Sequence, residues 1–97
     1  MTNKNYIAGR NLEYEAMMYF KQCGTHYPIR TAGSHSMFDV IAIPIKERHS
    51  VILAQCKRYS KSKPMPSKEF IDFKTSCLKM WIIKKKGARK MEIIIVE

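Results

Sequence analysis

The sequence predicts a single α/β domain in the order α-β-β-β-α-β, a mixed sheet flanked by helices. Three observations predict it. Residues 8–23 repeat apolar side chains at helical spacing. The runs FDVIAIPI and VILAQCKRY are short, rich in β-branched residues and joined by a charged turn. A second amphipathic pattern, over residues 67–86, precedes a last β-branched run, MEIIIV. A chain of 97 residues suits one hydrophobic core and is too short for two.

The elements follow in order. In the first helix Leu12, Ala16, Tyr19, Phe20 and Cys23 fall on one face, and Gly24 supplies the stop. Residues 26–32, HYPIRTA, read as a short strand, and Pro28 assigns it to an edge or confines itself to the strand's start. Gly33-Ser34-His35-Ser36 is a turn-rich break. Phe38–Ile45 and Val51–Tyr59 form an antiparallel hairpin around Lys46–Arg48. Ser67 is the expected N-cap of the second helix, with Glu69 in its first turn. Phe70, Phe73, Cys77 and Trp81 form one stripe on it, and Ile71, Leu78 and Ile82 another. Lys84, Lys85 and Lys86 fall where a helix C-terminus favours cations, and Gly87 ends it. Met91–Val96 reads as a buried strand.

Eighteen Lys and Arg stand against eight Asp and Glu, a net charge of +10. That excess selects polyanionic partners and makes binding weaken as salt rises. No apolar run reaches the ~20 residues of a membrane-spanning helix, and the N-terminal stretch lacks a signal-peptide core. The expected location is intracellular, in the cytoplasm. Cys23, Cys56 and Cys77 are odd in number and widely spaced, which argues against a disulfide framework or a zinc site and for reduced, mostly buried thiols. His26, His35 and His49 also lack ligand spacing and are expected on the surface or in loops.

Functional chemistry concentrates in the hairpin. Side chains alternate along a strand, so Gln55 and Lys57 share a face. If Ile45 faces His49 across the turn, Asp39 falls opposite Gln55; a loop two residues longer sets it opposite Lys57. Either way a carboxylate meets an amide and an ammonium at the mouth of an apolar sheet. Asp39 is otherwise out of place in the run MFDVIAI, because acidic residues are depleted in strands. Oxygen donors suit a hard cation such as Mg²⁺, and Asp39, the Gln55 amide and the Cys56 backbone carbonyl are candidate ligands. The metal would polarise a phosphoryl oxygen and acidify water, while Lys57 would stabilise charge building on a phosphate or hold the attacking water. The plainer alternative is an Asp39–Lys57 ion pair at the opening of a strand.

This Asp…Gln-x-Lys arrangement resembles the PD-(D/E)xK nuclease superfamily, whose restriction-endonuclease-like core has the same α-β-β-β-α-β order. Within it, Gly9-Arg10-Asn11-Leu12-Glu13 resembles the G-x-x-x-E start of the archaeal-type Holliday junction resolvases, and Arg30-Thr31-Ala32-Gly33-Ser34 resembles their R-x-A-G-S segment. The resemblance spans roughly the first 60 residues. It implies a homodimeric endodeoxyribonuclease of DNA recombination and repair that cuts four-way junctions with Mg²⁺, for which Mn²⁺ substitutes, and uses no small-molecule cofactor. It also implies roles at matching positions: Glu13, Asp39 and Gln55 on the metal, Lys57 as the catalytic lysine, and Arg30 and Ser34 beside the scissile phosphate. Those resolvases carry Glu where this chain has Gln55, which removes a charge from the metal site. Gln55-Cys56-Lys57-Arg58-Tyr59 is instead similar to a strand of Mrr-type restriction endonucleases, whose catalytic domains are attached to a recognition domain for which this chain has no room.

Arg10, Arg30, Arg58, Lys61 and Lys63 are the expected DNA-binding cations, with Lys84, Lys85, Lys86, Arg89 and Lys90 as further candidates for tracking phosphates. The apolar face around Phe73, Cys77, Met80 and Trp81 is the expected dimer contact. Two other functions fit the same residues: a basic DNA-binding module that keeps a nuclease fold without cutting, and an Mrr-like restriction nuclease acting on linear duplex.

Overall fold

The computed structural model describes residues 4–31 and 37–97. Seven elements run α1 (Lys4–Cys23), β1 (His26–Arg30), β2 (Val40–Pro44), β3 (Ile52–Tyr59), α2 (Lys68–Asp72), β4 (Leu78–Lys85) and β5 (Glu92–Val96). The strands form one mixed sheet in sequence order. β1, β2 and β3 are antiparallel neighbours, β4 joins β3 in parallel, and β5 returns antiparallel to β4. The domain is thus α/β, as expected, with one strand more than the sequence suggested. Among the described residues no helix is long and apolar enough to cross a membrane.

α1 covers one face of the sheet. Its Leu12, Ala16 and Phe20 pack against Val40 and Ala42 of β2, Ile52 and Ala54 of β3, and Met80 and Ile82 of β4. Burying side chains as large as Leu12 or Phe20 stabilises by about 1.5–3 kcal/mol each. Gly24, at φ +71°, ends the helix with its N–H on the Lys21 carbonyl at 3.2 Å. Lys84 of β4 reaches up to α1 and pairs with Glu15 at 2.7 Å. It is therefore engaged inside the fold and is not a free phosphate contact.

The second helix is where expectation fails. Ser67 caps it as predicted, its Oγ accepting the Phe70 N–H at 3.2 Å. The helix then lasts one turn, because Phe73 is extended, and residues 78–85 form β4. A central strand is buried on both faces, so Met80, Trp81, Ile82 and Ile83 are apolar without alternation and match a helical template equally well. Met80 and Trp81 lie inside the domain and cannot be dimer contacts as predicted. Gly87, at φ +85°, belongs to the turn after β4 rather than to a helix end.

Lys79 completes the one-turn helix. It is buried, and its ammonium donates to the carbonyls of Phe70, Ile71 and Phe73 at 2.7, 2.7 and 2.9 Å. Those carbonyls are the ones a helix end leaves unpaired, and three donors satisfy a buried ammonium.

Other expectations are corrected nearby. β5 is an edge strand with Ile94 and Ile95 exposed, not a buried one. Cys23 is exposed, while Cys56 and Cys77 are half-buried and all three are free thiols. His26 is buried in β1 rather than set in a loop. Its Nε2 donates to the Ser50 carbonyl at 2.7 Å and its Nδ1 meets the Thr25 hydroxyl at 2.9 Å. β1 is an edge, as Pro28 indicated.

Candidate functional site

The hairpin adopts the first of the two predicted registers. Val40 pairs with Ala54, Ile41 with Leu53 and Ala42 with Ile52. Continued one step, this sets Asp39 opposite Gln55. There β2 departs from the ladder. The Asp39 N–H bonds the Ala54 carbonyl at 2.8 Å, and the carboxylate takes over the next ladder position, with Oδ2 accepting the Cys56 N–H at 2.8 Å. Thr31 secures the same corner, with its N–H on the Asp39 carbonyl at 3.0 Å and its hydroxyl on the Phe38 carbonyl at 2.5 Å. The acid is held by backbone, not by a floppy loop.

Burial is the largest influence on this carboxyl and pushes its pKa above the ordinary aspartate value. The Cys56 N–H opposes that shift, the Glu13 charge adds to it, and Lys57 and Arg30 oppose it. Glu13, Arg30 and Lys57 are thus all within electrostatic reach of Asp39. Glu13 and Arg30 arrive from the α1 side of the sheet and are paired, Nε to Oε1, at 2.7 Å with both side chains largely buried. The Arg30 guanidinium also lies over the Tyr14 ring, 5.0 Å from its centroid. Gln55 and Lys57 project from the opposite face. The cluster therefore straddles the point where β2 leaves the sheet. Arg30 is engaged by Glu13, so a phosphate would have to share it.

Gln55 has the most telling environment. Its Oε1 is buried and is the only fully buried side-chain oxygen or nitrogen among the described residues without a hydrogen-bond partner. Such an atom costs about 1–3 kcal/mol if left unsatisfied. A carboxylate and an amide oxygen are both oxygen donors of the kind a hard cation takes. Cys56, which pairs with Ile82 in the parallel ladder, keeps its backbone carbonyl in the plane of the sheet beside them. Its thiol is inert: burial pushes its pKa far up, and Asp39 and Glu13 push it further. No group of three His, Cys, Asp or Glu gathers among the described residues, so a cation here would rest on the amide as well as the acids.

Lys57, Lys61 and Lys63 are exposed, and Arg58 is half-buried. Lys63 is paired with Glu92 at 3.1 Å on the open surface, where such a pair is weak. Arg10 lies half-buried on α1, one turn before Glu13. Ser34, with Ala32 and Gly33, lies outside the described residues.

Sequence reasoning missed the wall beside the cluster. Residues 60–67, after β3, cross over Trp81, whose indole N–H donates to the Pro64 carbonyl at 3.3 Å. Together Gln55, Cys56, Lys57, Pro64, Met65, Ser67 and Trp81 line a cavity of about 240 Å³. The Pro64-Met65-Pro66 run was the available signal, since two prolines stiffen a segment that otherwise reads as a linker. A larger groove of about 770 Å³ lies between residues 71–75 and the end of β5 and touches none of the predicted site residues.

No family model, curated protein or solved structure matches this chain.

Proposed function

We propose that the chain is a Mg²⁺-dependent DNA endonuclease that hydrolyses phosphodiesters at four-way junctions, working as a homodimer. The observation that carries this reading is the orphaned Gln55 Oε1, on the residue opposite the half-buried Asp39 in the hairpin register and two residues before Lys57. The resemblance to the PD-(D/E)xK nucleases supports it further. The order α-β-β-β-α-β is met by α1 to β4, and β5 is an addition at the edge.

Asp39 and Gln55 would hold the cation from the face away from α1, with Glu13 joining from the α1 side where β2 leaves the sheet; when bound, the cation would supply electrophilic activation of a phosphoryl oxygen and acidify water. Asp39 Oδ2 is oriented by the Cys56 N–H, so the carboxylate enters the reaction already positioned. Lys57, exposed on the same face as Gln55, stabilises negative charge that grows on the phosphate. Arg30 keeps Glu13 in place through their 2.7 Å pair. The net charge of +10 draws the DNA backbone in without reading bases. Two copies related by a twofold axis would present two such sites to a junction.

A second reading, a DNA-binding module that does not cut, is favoured by two features: Glu13 Oε1 is already occupied by Arg30, and Gln55 brings no charge. One experiment separates the two. A labelled immobile junction and a duplex of matched sequence are incubated with the protein in Mg²⁺ and in chelator. Cutting of the junction alone, in Mg²⁺ alone, is the expected result. Binding without cutting under every condition supports the module, and cutting of the duplex with no junction preference supports a restriction-type nuclease.

A further inference from the structure

We propose that the cavity between β3, β4 and the 60–67 segment receives a single nucleobase, unstacked from the DNA strand whose phosphate lies against Lys57. The inference rests on the functional reading above and names a subsite for it.

Position is the first argument. Gln55 and Lys57 line this cavity and also belong to the candidate catalytic cluster. A strand that puts a phosphate on Lys57 therefore has the neighbouring base at the cavity mouth. Size is the second. At about 240 Å³ the cavity is smaller than a drug-sized ligand site, which suits one heterocycle and excludes a base pair.

Lining chemistry is the third argument. Trp81 and Pro64 contribute flat apolar surface. The polarizable thioether of Met65 stands largely exposed at the rim, where it can close over an aromatic ring. Every base offers a π-face to such walls. Gln55 lines the cavity and its Oε1 is buried without a donor, so a base N–H would satisfy it once the amide turns toward the occupant. An amide oxygen has two lone pairs, so a bond from a base leaves one for a cation. The Ser67 hydroxyl accepts the Phe70 N–H and keeps its own O–H free to donate to an occupant. Unstacking is least costly where the duplex is interrupted, so a base pocket beside the scissile phosphate favours broken or branched DNA over continuous duplex.

The test uses chelator, so that nothing is cut. Trp81 is the only tryptophan in the chain, and its emission reports the cavity directly. Single strands and junctions are titrated into the protein with an abasic site moved one nucleotide at a time, and free deoxynucleoside monophosphates are titrated separately. The expected result is an emission change with intact DNA that one abasic position abolishes. That position also weakens binding about fivefold or more, the lower end of what one stacked base contributes. Met65→Ala, at an exposed site and checked by thermal unfolding, weakens binding of intact DNA and not of the critical abasic strand. Equal binding by every abasic strand, an equal Met65→Ala loss on both substrates, or an emission response to free nucleotides alone would overturn the proposal. Cleavage in Mg²⁺ with a flat abasic scan would remove the base pocket and leave the nuclease reading standing. A position-specific response without cleavage would do the reverse.

Discussion

The two faces of the sheet are built to different ends. One is roofed by the 20 residues of α1, with Leu12, Ala16, Phe20, Val40, Ala42, Ala54 and Ile82 buried together. The other is covered by the five residues of α2 and by the 60–67 segment that crosses Trp81. It keeps Phe70 and Ile83 buried, yet leaves Tyr27, Ile29 and Ile43 of β1 and β2 exposed and carries Gln55, Lys57 and Lys79. Polar groups occur on both faces, but on the α1 side they are paired with one another, Glu13 with Arg30 and Glu15 with Lys84. The difference teaches that one helix is enough to hold this small sheet together, which leaves the second face available for chemistry.

The comparison breaks most sharply under substitution. Phe20→Ala on the α1 face is expected to cost about 3–5 kcal/mol of stability in chemical denaturation. Lys57→Ala on the other face is expected to leave denaturation within about 0.5 kcal/mol of the parent, while cleavage falls about 10²–10³-fold in single-turnover assays and junction binding survives. Equal losses of stability from the two would erase the distinction between the faces.

Lys79→Met sharpens the comparison from within the thin cover. The methionine keeps the apolar stem and removes the ammonium from three carbonyls. Of the three residues whose carbonyls lose it, Phe70 is buried while Ile71 and Phe73 are exposed. The expected cost is about 1–3 kcal/mol, read by denaturation. No change would mean that α2 holds itself.

The smallest effect runs the other way. The pKa of Asp39 is raised in the folded protein, so the folded state binds its proton more readily than the unfolded chain does. Its ionisation therefore costs stability as pH rises from the ordinary aspartate value through the raised one, and the cost persists at neutral pH. Asp39→Asn is expected to raise the thermal midpoint slightly at pH 7 and not at pH 3, while abolishing cleavage. A lower midpoint at pH 7 would show that the carboxylate is structural.

Legibility in the sequence followed locality. The hairpin register was one of two readable from counting across Lys46–Arg48, because antiparallel pairing fixes the sum of partner positions. Gly24 and Ser67 were readable because caps are chosen by their neighbours. β4 was not, because a strand flanked on both sides loses its alternation; the aromatic and β-branched run Trp81-Ile82-Ile83 after the Thr75-Ser76 break was the weak signal for it. Asp39, Gln55 and Lys57 could be brought together on paper because they lie on β3 and at the entry to its neighbour β2. The Glu13–Arg30 pair joins α1 to β1, and the Trp81–Pro64 bond joins β4 to a loop. Such partners depend on how elements dock, which no local pattern encodes.

The lysine tether has a consequence for the order of assembly. Five residues cannot sustain a helix alone, and the side chain that secures this one is supplied only after β4 is added to the sheet. During synthesis the one-turn helix is therefore secured only once β4 has joined the sheet. A nascent or truncated chain ending before Lys79 would lack both that tether and Trp81, the one residue lining the cavity that follows it in the chain.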